Sequence, residues 1–192
     1  MAAFNDLLDL RTAVIEHVSN ADIADVFPRL VGMAESRLNR TLRLRDQITD
    51  ATVTMTLGRG PLPADFAEAL GLFRVDGLEY VQQSPQHRDR HNHYYSIQGS
   101  EIVAPLIEGI ATLSYYATLP PLATMSSTNW MLARYPDLYL YAVGFEAAKY
   151  IRNAELAVQT KTLMDDAYYM ARADDEAARY SRARVRVAGC NP

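Results

Sequence analysis

Apolar and polar positions along the chain change period twice, and the changes divide it into three parts. In the first, Phe4, Leu7, Leu8, Arg11, Val14, Ile15 and Val18 recur at the i, i+3, i+4, i+7 spacing of one helix face. Asn5 is placed to cap that helix, and Asp6 and Asp9 suit its positive end. "SNAD" at 19–22 interrupts it, and "ADIADVF" reads as a single helical turn. A second helix is predicted from Pro28, since proline fits the first helical position. Its apolar stripe is Leu30, Val31, Ala34, Leu38 and Leu42, and its exposed face is expected to carry Glu35, Arg37, Arg40 and Arg43.

In the second part the period falls to two. Val53, Met55 and Leu57 alternate with Thr52, Thr54 and Thr56, which predicts a strand. "GRGPLP" at 58–63 reads as a turn. "LFRVDGLEYV" predicts two short strands around the two-residue turn Asp76-Gly77. "YYSIQGSEIVA" predicts another hairpin, and "IATLSYYATL" a further strand ended by Pro120-Pro121. The expectation is a compact antiparallel unit of about six strands, an ordinary sheet size.

The third part is helical again. Pro136 and Asp137 open a helix whose Leu138, Tyr141, Phe145 and Ala148 share a face, with Tyr139 and Tyr150 off it. A last helix is predicted from about Ala154 to Arg179, with Leu156, Leu163, Ala167 and Met170 inward and Asp165, Asp166, Asp174, Asp175 and Glu176 outward. The predicted fold class is α+β: a mainly helical antiparallel bundle with an inserted antiparallel β unit and an extended C-terminal tail. As one domain over residues 1–192, it has helices over 4–44 and 128–179, the β insertion over 45–122 and the tail over 180–192.

Composition narrows the function classes. The chain has 192 residues, 49% of them apolar, which suits one globular domain with a real core. A net charge of -4 gives no global attraction to nucleic acid or acidic lipid. The single cysteine, Cys190, leaves no internal disulfide framework and no cysteine zinc cluster, which fits a reducing cytosol. No apolar run reaches the roughly 18 residues of a membrane helix, and "MAAFNDLLDL" lacks a basic n-region.

Candidate chemistry is sparse. Neighbours such as Asp165-Asp166 diverge by about 100° on a helix and do not face one another, so a solvated face is the simpler reading. His87, His91 and His93 in "HRDRHNH" have metal-ligand residue types, but only Asp89 could join them, and an exposed loop is the simpler reading. No phosphate loop, nucleophile elbow or dinucleotide fingerprint occurs. These absences predict no cofactor, no metal and no catalysis.

One stretch is unusual. "TNWMLARYPDLYLYAVGFEAAKYIRN", residues 128–153, holds the only Trp and four of the twelve Tyr. With its upstream flank it resembles the head-to-tail adaptor proteins of tailed bacteriophages, nearest the connectors of short-tailed phages and the adaptors of gene transfer agents. The pattern is met by Tyr115, Tyr116, Leu122, Asn129, Trp130, Met131, Leu132, Tyr135, Pro136, Asp137, Leu138, Tyr139, Tyr141, Glu146, Ala147, Ala148 and Tyr150. Upstream, "LVGMAESRLNRTLR" is similar to the family's second helix through Glu35 and Arg40, and "PLPADFAEALGLFRVDG" to its next turn and strand through Leu62, Pro63, Asp65 and Phe66. Met131 departs mildly from the pattern, and the tail "SRARVRVAGC" does not align.

The resemblance implies a non-catalytic structural virion protein. Such adaptors form a dodecameric ring beneath the portal, extend the DNA channel and give the tail its platform. The implied partners are the portal protein, other adaptor copies, a tail or nozzle protein, and genomic DNA that passes without sequence-specific binding; no membrane is implied. The implied location is the virion neck, after assembly in the bacterial host cytoplasm. Tyr139 and Tyr150 are then candidate ring contacts, since tyrosine combines apolar area with a hydroxyl. Trp130 reads as core before interface. Asp165, Asp166, Asp174, Asp175 and Glu176 are expected at the channel or a subunit seam, where negative charge repels the DNA backbone. In the tail, Arg182, Arg184 and Arg186 alternate with Ala183, Val185 and Val187, a pattern suited to strand addition on the portal or a neighbouring subunit. Two rivals stand beside it: a DNA-binding or packaging accessory protein, for which Arg37, Arg40, Arg43 and Arg45 are the basic face, though pairing with acids of neighbouring subunits is the simpler use of them, and a phage-associated hydrolase with an atypical site, which only an activity on cell-wall material would support.

Overall fold

The computed structural model describes residues 4–86 and 93–180. The chain divides into two compact units: one of residues up to Leu38 and from Pro121 onward, the other of Asn39–Pro120.

The first unit is helical. Helix α1 spans Leu7–Val18 and is capped by Asp6, whose carboxylate accepts from the Leu8 and Asp9 N–H groups. Asn5, the expected cap, instead binds the Asp9 carboxylate through its backbone and side-chain nitrogens. A 3-10 turn at Ala21–Asp25 leads to α2, Phe27–Thr41, whose last turn contains the division between the units. Helix α3 spans Trp130–Arg134, α4 spans Pro136–Tyr150 and α5 spans Ala154–Tyr180. Pro136 occupies the first turn of α4, as its fixed φ favours. Helix α4 is central: Leu138, Tyr139, Ala142, Val143, Ala147 and Ala148 are wholly buried around most of its circumference. A helix apolar on most sides is an enclosed helix, not a surface one.

The second unit is a seven-stranded sheet in the order β1-β7-β3-β4-β5-β6-β2. Its strands are β1 Ile48–Met55, β2 Arg59–Pro61, β3 Phe66–Arg74, β4 Glu79–Gln82, β5 Tyr94–Gln98, β6 Glu101–Val103 and β7 Gly109–Ala117. Strands β1 and β2 lie at opposite ends of that order yet meet in a hairpin, so the sheet curls almost into closure. Leu57 and Gly58 make the turn with φ of 52° and 72°, the left-handed pair that matches strand twist. The interior is filled by Val53, Met55, Leu72, Tyr80, Tyr95, Ile102, Leu113 and Tyr115. Gly60 of β2 is required there, because a Cβ would come within 2.5 Å of Val53 Cγ1 and 2.6 Å of Met55 Sδ.

This overturns the expected fold class. The described residues are about 48% helix and 25% strand, with a nearly closed mixed sheet, and do not form a mainly helical bundle with a small antiparallel insertion. Strand β4 pairs with β5 in parallel, so the sheet is mixed. The segment read as a turn contains β2, held by pairing with β6. Strand β3 begins at Phe66, six residues before the predicted Leu72, and takes in an Ala-Glu-Ala-Leu run of good helix formers. The Asp76-Gly77 turn is one residue longer than predicted, with the Gly77 N–H bonded to the Arg74 carbonyl and Gly77 at φ 82°. The predicted tail, 180–192, lies beyond the described residues apart from the backbone of Tyr180.

Candidate functional site: the helical unit and its outward faces

The aromatic stretch folds into α3 and α4, and most of it is interior. Asn129 caps α3 by accepting from the Leu132 N–H at 2.9 Å. Tyr135 ends α3 and precedes Pro136, and its hydroxyl lies 3.4 Å from Asp174. Tyr139 is fully enclosed; its hydroxyl donates to Glu35 Oε1 at 2.6 Å. The same oxygen accepts from the Leu122 N–H at 3.0 Å, so one buried carboxylate ties α2, α4 and the segment before α3. Burial first, and the Glu35 charge second, push the Tyr139 hydroxyl well above the usual phenol range. Tyr139 therefore has no surface to offer a neighbouring subunit. Glu35 was expected on the exposed face of α2 and is instead buried.

A second ionic cluster lies about two helical turns further along α4. Glu146 is 2% exposed; its Oε1 accepts from Arg37 Nε at 3.0 Å and Nη2 at 2.8 Å, and its Oε2 from Lys149 Nζ at 2.5 Å. Both cations also sit over the Phe145 ring, 4.8 and 5.0 Å from its centroid. On another side of α4, Gly144 lets two helices approach: a Cβ there would stand 3.1 Å from the His17 ring and 3.3 Å from the Thr160 methyl. His17 and the buried Thr160 hydroxyl are 3.1 Å apart, and burial pulls the imidazole below its ordinary value.

The polar residues that carry the resemblance are thus mainly internal ties. Asp65 follows suit in the sheet unit, accepting from the Tyr115 hydroxyl at 2.8 Å. The pattern legible in the sequence marks what holds the fold, and the outward faces have to be read separately. Sequence reasoning missed the Glu35–Tyr139 and Arg37–Glu146 ties; the available signal was a carboxylate in the middle of an apolar run, as in "GFEAAKY".

The outward faces lie mainly on α5 and α2. The buried stripe of α5 is Thr160, Met164, Ala167, Ala171 and Asp175. Of the four residues predicted inward only Ala167 is buried, while Leu163 and Met170 are exposed. Small residues serve because α5 lies close against α4. Asp165 pairs with Lys161, Asp174 lies 3.6 Å from Arg134, and Glu176 lies 3.6 Å from Arg172. Asp175 is buried and bound to Arg179 Nε at 2.7 Å, so it is a helix-internal tie. Asp166 is exposed. Tyr150 stands half exposed at the end of α4, and Trp130 is partly buried. Of the second-helix arginines, Arg37 is committed to Glu146 and Arg43 to Glu68 at 2.5 Å. Arg182, Arg184, Val185, Arg186 and Val187 lie outside the described residues, as do His87 and His91; His93 packs edge-on against Tyr80. Among the described residues no group of three His, Cys, Asp or Glu could hold a metal, and no helix is long and apolar enough to cross a membrane.

The chain matches the SU10 adaptor protein family over residues 5–188 and belongs to it. This is a family of phage adaptor proteins, as the resemblance around 115–150 implied. No curated protein matches the chain.

Proposed function

We propose that the protein is a head-to-tail adaptor that assembles as a dodecameric ring beneath the portal, continues the DNA channel and carries the tail. The observation that bears most weight is the family match over nearly the whole chain. Its partners are the portal protein, other copies of itself and a tail or nozzle protein, with genomic DNA passing through. Its place is the virion neck, after assembly in the host cytoplasm. No cofactor takes part.

The exposed acids Asp165, Asp166 and Glu176 suit a seam or a channel wall; Asp174, beside Arg134, suits a seam better. Tyr150 is the aromatic contact of this reading, being half exposed at a helix end. The tail, whose sequence alternates Arg182, Arg184 and Arg186 with Ala183, Val185 and Val187, is the portal anchor by strand addition in this reading. The DNA-binding alternative is weakened by the engagement of Arg37 and Arg43 in ion pairs within the chain. Truncation after Arg179 is the test of the anchor. The shortened protein should join DNA-filled heads with affinity reduced at least tenfold; undiminished joining would refute it.

A further inference from the structure

We propose that the outer face of α5 in one copy docks against the outer face of α2 in the next, joining copies head to tail; this rests on the ring reading above and names its seam. The two faces are complementary. Among the fifteen residues of α2 the only acid is Glu35, which is buried. The outward side of α2 carries Arg29, Gly32, Met33 and Ser36, with the guanidinium of Arg37 at its margin. A Cβ at Gly32 would meet nothing within 4 Å, so another backbone can come close there.

The outward side of α5 carries exposed apolar side chains among acids, with Lys161 and Arg172 beside them. Val158 is 68% exposed, Tyr169 70% and Met170 61%. At about 100° per residue, Val158, Tyr169 and Glu176 fall in one narrow stripe flanked by Asp165 and Asp166. Exposed aromatic and methionine side chains of this kind are interface residues more than solvent ones. Asp165 and Glu176 already have partners one turn away, Lys161 and Arg172. Exposed pairs of that spacing are weak, so they can be shared with a second set of cations at little cost.

The faces cannot meet within one copy. Helix α2 touches α4 through Tyr139 and Glu146, whereas Thr160 of α5 touches it at Gly144. On a helix these contacts lie about 140–160° apart around the α4 axis. The two faces therefore look away from each other on either side of α4. Two different complementary patches on opposite sides make a heterologous contact, which gives a ring when the rotation from copy to copy closes. A twofold dimer would need one self-complementary patch.

The test uses the full chain with Cys190→Ser, its only native cysteine removed, and the exposed Met33 and Met170 changed to cysteine singly and together. Each variant is assembled with the phage's own portal protein and treated with a short bismaleimide. The double variant should give a ladder of multimers, the mixed single variants a dimer only, and each single variant alone no product. Rings seen by electron microscopy without cross-linking in the double variant would overturn the seam and leave the ring intact. Homodimers from Met33→Cys alone would overturn it in favour of a symmetric contact. No oligomer with portal present would overturn the ring reading and the seam with it.

Discussion

Glu146→Gln separates an internal tie from a surface ion pair. The substitution keeps the shape of the side chain and removes its charge. In the native protein the carboxylate is 2% exposed and takes three hydrogen bonds from Arg37 and Lys149. Breaking a buried pair costs about 3–5 kcal/mol when the charge left behind is also buried. Here the remaining cations are 35% and 41% exposed and can hydrate, so the penalty falls short of that range. Hydrogen bonds to charged groups contribute roughly 1.5–3 kcal/mol, and glutamine retains part of the bonding, so a loss of about 1.5–2.5 kcal/mol is expected. For a chain of this size that lowers Tm by about 3–10 °C. The control is Glu68→Gln, which removes an exposed carboxylate from Arg43 and should cost below about 1 kcal/mol. Denaturant titration of the full chain, followed by far-ultraviolet circular dichroism, reads both; if the two units unfold in separate steps, Glu146→Gln should move the helical one. Equal shifts for the two variants, or a Glu146→Gln effect below about 0.5 kcal/mol, would refute the assignment of the Arg37–Glu146–Lys149 cluster as an internal tie.

Other perturbations test the remaining structure. Burial, with Asp65 beside it, pushes the Tyr115 hydroxyl up to about 12. The unfolded phenol loses its proton near pH 10 while the folded one keeps it, so stability should fall as pH rises from about 10 to 12, and Tyr115→Phe should flatten that fall in alkaline denaturation curves. His17 behaves in the opposite sense: its depressed value means stability present above about 6.5 is lost on acidification, and His17→Gln should remove that slope. Gly60→Ala should destabilise the sheet unit by about 1–3 kcal/mol, because Val53 and Met55 must move; an unchanged midpoint would contradict the packing. Leu57→Asn should stabilise the hairpin by about 1 kcal/mol through relief of a left-handed leucine, read as a raised Tm.

Much of the secondary structure is legible in the chain, because its signals are local. Pro136 and Asp137 mark the start of α4, and the break at 19–22 separates the first two helices as predicted. What is not legible is decided by partners far along the sequence. Helix α4 is enclosed nearly all round, so its apolar residues fit several faces and the spacing alone selects Tyr141 and Phe145 over Tyr139. Helix α5 buries Thr160, Ala167 and Ala171 because of close approach at Gly144, while its larger Leu163 and Met170 point outward. Strand β2 is three residues of turn composition, made a strand by β6. The parallel pairing of β4 with β5 leaves no trace in either strand's own residues. The site divides in the same way. Glu35 and Glu146 are visible as residues, but their roles as internal ties depend on partners up to 109 positions away.

The most direct test of the proposed function is electron microscopy of the full-length protein mixed with the portal of its own phage. A ring of twelve copies coaxial with the portal, continuing its channel, is the predicted result. A portal that remains bare at saturating protein, or copies bound at any site other than the channel exit, would contradict it.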